Sequence, residues 1–285
     1  MAGRDRGGTS RDRGGTAHTI IVDNSKAPPA ALVYPQEELR KMLTAYELEI
    51  FDTINQARTN PQRMVERLEE MKQYYTDDNC FRYPGEPTLR TKEGVAAVDE
   101  AIEELRALIA APLAPMALWK GLIYSCRDHV SDQWRAENSP TGHQGTDNSN
   151  PPARGSRYGE WGLLCGEALS YGEKEPFRVV AYLLVDDGRE ERPHRKRLLG
   201  MEVLCAGVAA GAHKRCGSLA VVMIADKFEE DKEIETDWAR DPVVEGGYKK
   251  AAKKNYFAKN EMVTKTKITH QGKNPKKKKK GCCIM

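Results

Sequence analysis

The sequence has few features of the protein classes that are easiest to recognise. No run of about eighteen apolar residues occurs, which argues against a membrane-spanning helix. The seven cysteines contain no CxxC pair and no Cys/His spacing typical of a zinc finger, so we expect reduced thiols. The basic residues near the N-terminus are followed by no apolar segment, which argues against a signal peptide. We therefore expect a cytosolic protein that is not secreted.

The net positive charge lies at the C-terminal end. The chain has a formal net charge of +3, but residues 249–285 hold thirteen lysines and one acid, so this segment carries +12 and residues 1–248 carry −9. A nucleic-acid-binding domain needs clustered Lys and Arg on its folded surface. We therefore expect no nucleic-acid partner, and an anionic partner would bind the tail.

Composition divides the chain into three regions. Residues 1–33 contain a Gly-rich, charged direct repeat, which cannot bury enough apolar area to order itself, and we predict a disordered arm. Residues 38–232 hold most of the apolar residues and are predicted to form one domain. Residues 233–285 are predicted to form a disordered, Lys-rich tail.

Hydrophobic spacing predicts helices in the first half of the domain and strands at its end. Residues 138–160 are rich in Gly, Pro, Ser and Asn and predict a long loop. The order of elements predicts an α+β fold. The predicted elements are two helices joined at Asn60-Pro61, an amphipathic helix over 94–111, a helix after Pro115, a helix over 176–188, and a β-hairpin with its turn near residues 213–217.

Four positions in the middle of the chain are candidates for chemistry: His143, Glu167, Asp186 or Asp187, and His194. Imidazoles and carboxylates are the groups that a zinc ion or a proton-transfer site uses. Taken singly, each is better explained as a solvated or hydrogen-bonded residue than as a functional one.

The two aspartates follow a predicted helix, where the helix dipole disfavours negative charge by about 0.3–1 kcal/mol per group. Something should compensate for this charge. The basic run at residues 189–197 is one explanation, and a cation or an imidazolium shared with His194 is the other. The sequence alone favours neither explanation.

A series of motifs occurs in order between about residue 48 and residue 228. The motifs are INQARTNP at 54–61, PMALWKGLIYSCRDHVSDQ at 115–133, GHQGTDNSNPPARGSRYGEW at 142–161, GEALSYG at 166–172, VVAYLLVDDG at 179–188, PHRKRLL at 193–199, and VLCAGVAA with AVVMIADKF. In this order they resemble the CAP superfamily, the SCP-domain proteins that include cysteine-rich secretory proteins, insect venom antigens and plant pathogenesis-related proteins, and the resemblance is closest to the microbial and protist-type branch.

The resemblance implies an α-β-α sandwich with a central antiparallel sheet. It also implies a cleft with two histidines and two acids that binds zinc or another divalent cation in several members. By motif position these are His143, Glu167, Asp186 and His194. Ala168 and Pro193 depart from the family pattern, and the second acid is an Asp where many members have Glu, so Asp187 could take the place of Asp186.

The sequence ends in KKKKKGCCIM, which fits a prenylation pattern with Cys282 as the modified thiol and Met285 favouring farnesyl. One lipid anchors a protein only weakly, so a second signal is needed. We expect the lysines to supply it by binding anionic lipids, with a solvated tail or a nuclear-import signal as the alternative. These lysines are Lys276, Lys277, Lys278, Lys279 and Lys280.

Three functions are compatible with these features. The first is a lipid-anchored CAP-domain protein at the cytosolic face of a membrane, which binds a sterol, another lipid or a protein. The second is a hydrolase that uses His143 or His194 as a general base; no GxSxG or HExxH motif supports it, and Ser149, Ser156 and Ser170 are interpreted as loop residues. The third is a scaffold in which the four residues only hold the cleft together.

Overall fold

The computed structural model describes residues 34–231. The predicted arm (residues 1–33) and the predicted tail (residues 233–285) lie outside this range. Within it the chain forms eight α-helices. They are α1 (Gln36–Lys41), α2 (Ala45–Thr59), α3 (Pro61–Lys72), α4 (Val95–Ala107), α5 (Lys120–Arg135), α6 (Pro151–Gly155), α7 (Pro176–Val185) and α8 (Pro193–Leu198).

Nine strands lie in the same range and form three sheets. The strands are β1 (Tyr75–Thr76), β2 (Cys80–Phe81), β3 (Leu89–Arg90), β4 (Ala117–Leu118), β5 (Gly159–Trp161), β6 (Cys165–Tyr171), β7 (Cys205–His213), β8 (Gly217–Ala225) and β9 (Phe228–Glu230). The central sheet has the order β4-β7-β8-β6, while β1, β2 and β3 form one small sheet and β5 pairs with β9 in another.

The central sheet is built on the predicted hairpin. β7 and β8 pair antiparallel over their whole length, with Val208 opposite Val222, and β6 pairs antiparallel with the other side of β8. The two-residue β4 is the exception, because it pairs parallel with β7. β6 therefore forms one edge of the sheet.

Both faces of the central sheet are covered by helices. One apolar core joins alternate strand residues, including Val208 and Val222, to α2, α3, α4 and α7. The other core joins the intervening residues, including Leu169 and Met223, to α5. The fold is α+β with an α-β-α arrangement, which confirms the predicted fold class.

Local signals explain where the first helices begin and end. Pro61 starts α3 directly after α2 ends at Thr59, as predicted. A single helix was predicted before Asn60-Pro61, whereas the structure has two, α1 and α2. Thr44 begins α2 with a capping box, in which its hydroxyl accepts from the Glu47 N–H and the Glu47 carboxylate accepts from the Thr44 N–H.

Candidate functional site

The first half of the site is the pair of Asp186 and His194. Asp186 follows the last residue of α7 in a left-handed conformation, with φ of 52°, so the chain turns back toward α8. The Asp186 Oδ1 atom lies 2.8 Å from His194 Nδ1, and its Oδ2 atom accepts from the His194 backbone N–H at 2.7 Å. Burial alone would raise the pKa of the Asp186 carboxyl, but the bonds from His194 lower it on balance. The imidazole and the start of α8 thus compensate for the charge of Asp186, and the basic run contributes through Arg189, whose Nε atom lies 3.6 Å from Asp186 Oδ1.

The neighbouring aspartate has a different role. The Asp187 carboxylate accepts from the backbone N–H groups of Lys92 and Glu93, at 2.6 and 2.8 Å, just before α4 begins. Much of the basic run is also used elsewhere: Arg192 pairs with Glu93 and Glu100. The structure therefore pairs His194 with Asp186 and not with Asp187.

The second half of the site is the pair of His143 and Glu167. Glu167 lies in β6 with its side chain buried, and its Oε1 atom lies 2.9 Å from His143 Nδ1. Its Oε2 atom accepts from Arg154 Nη2 at 2.7 Å. Burial would raise the pKa of the Glu167 carboxyl, but the hydrogen bond with His143 and the charge of Arg154 lower it on balance.

The two pairs meet at the edge of the central sheet. Glu167 lies opposite Met223 of β8, on the sheet face that packs against α5. Asp186 ends α7, on the other face. The imidazole rings of His143 and His194 nevertheless lie 6.5 Å apart between centroids, beside the edge strand β6. All four predicted residues are thus brought together.

The Nε2 atoms of the His143 and His194 rings take no part in the side-chain hydrogen bonds given above for residues 34–231. In the hydrogen bonds between side chains of residues 34–231, each of the two rings uses Nδ1. Zinc–nitrogen bonds of roughly 2.0–2.1 Å place the centroids of two ligating rings roughly 5–6 Å apart, so a shift of about 1 Å by the exposed His143 ring would suffice. The spacing of the rings is thus close to that of two imidazole ligands, and the Nδ1 atom of each ring is held by a carboxylate.

The carboxylates themselves are less suited to bind a metal. Both oxygens of Glu167 and both of Asp186 already accept hydrogen bonds. Across residues 34–231, no group of three or more His, Cys, Asp or Glu side chains is arranged to hold a metal ion. A four-ligand site therefore stays a prediction from the family resemblance.

A small cavity lies beside Asp186 and His194. Its volume is about 20 Å³, which corresponds to about one water molecule and not to a sterol or lipid. Ser170 also lines it. The interpretation of Ser170 as a loop residue was wrong, because Ser170 lies inside β6, where it pairs with Ala220 of β8.

Two buried residues of the site were missed by the sequence analysis. Arg154 in α6 is 1% exposed and binds Glu167, and His129 in α5 has its Nε2 atom 3.8 Å from Glu167 Oε1. His129 shares an apolar helix face with Cys126 and Val130, which was the available signal for it. No local pattern marks Arg154 as buried.

The helices give no sign of a membrane-spanning segment: among residues 34–231, none is both long enough and apolar enough to cross a bilayer.

Comparisons with known proteins return only distant likenesses. No family model and no curated protein matches the sequence. Among solved structures, an outer surface protein from Borrelia burgdorferi is 18% identical with a TM-score of 0.35, and the match covers 48% of this chain and 91% of that protein.

Two further solved structures are an extracellular protein containing an SCP domain from Bacillus anthracis and a cysteine-rich secretory protein from Staphylococcus aureus. The first is 18% identical with a TM-score of 0.32, and the match covers 45% of this chain and 37% of that one. The second is 13% identical with a TM-score of 0.30, and the match covers 57% of this chain and 48% of that one. This chain thus spans less than half of either protein. At these TM-scores the likenesses carry no argument about function.

Proposed function

We propose that the chain is a CAP-type binding protein whose cleft holds a divalent cation, such as zinc, between the Nε2 atoms of His143 and His194. The observation that carries the proposal is the pair of neighbouring imidazoles, with centroids 6.5 Å apart and each Nδ1 atom held by a buried carboxylate. A carboxylate that accepts from the second ring nitrogen fixes the tautomer of a metal-binding histidine and raises its basicity. Glu167 and Asp186 have this role in the proposal.

The site is open on one side. The His143 side chain is 41% exposed, whereas that of His194 is 5% exposed, so a ligand reaches the cleft from the His143 side. With two protein ligands, the remaining coordination positions would be taken by water or by a group of the bound partner. The proposed partner is a sterol, another lipid or a protein segment, as the family resemblance suggests. Because the cavity beside Asp186 and His194 has room for about one water molecule, such a partner would bind on the open side, at His143.

We further propose that the tail brings this domain to a membrane surface. The residues concerned, Cys282 and the five lysines from Lys276 to Lys280, lie outside the described residues, and the support is their sequence pattern. Farnesyl at Cys282 and anionic lipids at the lysines remain the proposed cofactor and partner.

Titration of the full chain with zinc by calorimetry tests the metal site. We expect one site of micromolar or tighter affinity that is lost in the His143→Ala/His194→Ala double variant. His270→Ala is a matched control, because it removes a histidine outside the domain and should leave that site intact. Equal binding by the wild type and the double variant would show that zinc binds elsewhere, for example at cysteines of the tail.

A further inference from the structure

The residue before His143 is held by an unusual number of contacts. Gly142 has φ of +109°, a conformation that favours glycine. Its N–H donates to the Tyr171 hydroxyl at 2.9 Å. Its carbonyl oxygen accepts from Gln133 Nε2 at 2.9 Å and lies 2.8 Å from His129 Nε2. Both polar atoms of this one residue are therefore fixed by side chains.

These three side chains come from two rigid elements and contact each other. His129 and Gln133 lie one turn apart on α5 and are fully buried, with their Nε2 atoms 2.8 Å apart. Tyr171 ends β6, and its hydroxyl donates to Gln133 Oε1 at 3.1 Å. We refer to His129, Gln133 and Tyr171 as the Gly142 clamp.

The two ring nitrogens of His129 differ in their hydrogen bonding. Its Nε2 atom contacts Gly142, while its buried Nδ1 atom has no hydrogen-bond partner within the described part of the chain. Buried polar atoms are usually paired, and an unpaired one calls for an explanation. The contacts of the ring thus lie on its Nε2 side, where the Gly142 carbonyl is 2.8 Å away and Glu167 Oε1 is 3.8 Å away.

The residues just before Gly142 are also fixed by contacts that involve side chains. Ser139 Oγ donates to the Gln133 carbonyl at 2.6 Å, and His213 Nε2 lies 3.2 Å from the Pro140 carbonyl. The imidazole of His143, in contrast, has the carboxylate of Glu167 as its hydrogen-bond partner in the described residues. The His143 backbone is thus fixed from two sides, by the contacts of Gly142 and by Arg154 Nη1, which donates to the His143 carbonyl at 3.1 Å.

We propose that the Gly142 clamp is a positioning device for His143: it aims Nδ1 at Glu167 and thereby turns Nε2 toward His194. Gln133 and Tyr171 act through the Gly142 backbone, and His129 does so while its Nε2 atom also lies 3.8 Å from Glu167 Oε1. In the proposal none of the three binds a ligand itself. The part of this proposal that concerns metal affinity rests on the proposed function. The part that concerns the orientation of the His143 ring does not.

Tyr171→Phe is the sharpest test, because it removes the one hydroxyl that contacts both Gly142 and Gln133. Gln133→Met is a second variant, should Tyr171→Phe fold poorly. Tyr34→Phe is the matched control: it removes a hydroxyl that accepts from Lys120 at 3.2 Å, at the opposite end of α5.

Three measurements on the full chain separate the possible outcomes. Amide hydrogen exchange at Gly142 reports the clamp itself, and we expect at least tenfold faster exchange in Tyr171→Phe. Long-range ¹H–¹⁵N spectra of the His143 ring report its tautomer without metal: we expect the Nδ1–H form in the wild type and a mixture in the variant. Zinc titration should show an affinity lower by about 10–100-fold, as for other groups that orient metal ligands.

Faster exchange with an altered His143 tautomer supports the clamp, whether or not the wild type binds zinc. Absence of zinc binding in the wild type would overturn the proposed function alone. Faster exchange with an unchanged tautomer would overturn the positioning role, because the clamp would then hold the loop without directing the ring. Unchanged exchange in both clamp variants would overturn the clamp altogether.

Discussion

The Nδ1 atom of His194 lies 2.8 Å from Oδ1 of Asp186, and the backbone N–H of the same histidine donates to Oδ2 at 2.7 Å. One carboxylate therefore orients the ring and also binds the first turn of α8. The left-handed conformation of Asp186 makes both contacts possible, because it turns the chain at the end of α7.

The two acids should control metal affinity through the histidines. We expect Asp186→Asn and Glu167→Gln each to weaken zinc binding by about 10–100-fold, because each removes the negative charge that faces a ligating ring. Asn tolerates the left-handed conformation, so the turn at 186 should persist. The control is Asp187→Asn, which alters the contacts of a neighbouring aspartate with Lys92 and Glu93. Calorimetry that finds equal affinity in all three variants would contradict this role.

Two equally buried glutamates should respond to pH in opposite directions. Burial raises the pKa of Glu47, whereas the bonds to His143 and Arg154 outweigh burial and lower the pKa of Glu167. Stability rises with pH where the unfolded chain binds more protons than the folded one. The contribution of Glu167 is therefore present above its unfolded pKa and is lost as pH falls through its folded pKa. The contribution of Glu47 is full below its unfolded pKa and decreases as pH rises through its folded pKa.

Urea unfolding from about pH 3 to about pH 7 measures this contrast. The stability difference between wild type and Glu167→Gln should grow in favour of the wild type as pH rises. The difference between wild type and Glu47→Gln should change in the opposite direction. Parallel pH profiles for the two variants would refute the assignment of opposite shifts.

Removal of Arg154 should cost more than removal of the exposed Arg157. Arg154 is 1% exposed and donates to the buried Glu167 carboxylate, so Arg154→Met leaves this buried charge without its arginine partner and with only the His143 contact at 2.9 Å among those described above as hydrogen bonds. We expect a loss of about 3–5 kcal/mol in the free energy of unfolding. Arg157→Met also breaks ion pairs, with Asp128 and Asp147, but at a more exposed site, and should cost about 1 kcal/mol or less.

The Arg154→Met/Glu167→Met double variant completes this test. It removes both charges, so its loss of stability should be smaller than the sum of the two single losses. Chemical denaturation of the four proteins gives the coupling energy. Additive losses would show that Arg154 and Glu167 do not depend on each other.

The contact between α5 and β7 should tolerate no side chain at Gly207. A Cβ atom there would lie 2.2 Å from the Leu122 carbonyl carbon and 2.4 Å from the Ile123 nitrogen, both backbone atoms that cannot move independently. We expect Gly207→Ala to lower the free energy of unfolding by roughly 1–3 kcal/mol or more. In Gly166→Ala the nearest atom is 3.3 Å away on the flexible Arg197 side chain, so this control should change stability by about 0.5 kcal/mol or less.

Membrane association should depend on the first cysteine of the C-terminal pair. We expect Cys282→Ser to move the protein from the membrane to the supernatant in cell fractionation, because the prenylated thiol is lost. Cys283→Ser keeps the motif and should stay on the membrane. Replacement of the five lysines by glutamine should release the lipidated protein in part and make its remaining membrane binding less sensitive to salt than that of the wild type. Membrane retention of Cys282→Ser would argue against the anchor.

Parts of the fold were predictable because their signals are local. Pro176 starts α7 and the apolar run continues to Val185, and the two β-rich runs of the hairpin are long and joined by a short turn. The break between α1 and α2 was also encoded locally, by Thr44 and Glu47, but it was missed. β4 has two residues and cannot show an alternating pattern, so its parallel pairing with β7 is visible only in the folded chain.

The site was predictable from motif order and not from its chemistry alone. His143, Glu167, Asp186 and His194 lie up to 51 positions apart, and hydrophobic spacing gives no reason to bring them together. The choice of Asp186 over Asp187 depends on a single left-handed residue. The burial of Arg154 depends on a partner in another element, so only tertiary structure assigns it.

The position of the site at an edge strand has a consequence for how a ligand would affect the whole domain. His143 is held from the α5 side of the sheet and His194 from the α7 side, so a ligand bound by both rings would cross-link the two outer layers around β6. Opening of either layer would then require the ligand to dissociate. The melting temperature should rise with ligand concentration, and thermal denaturation becomes a direct screen for what the cleft binds.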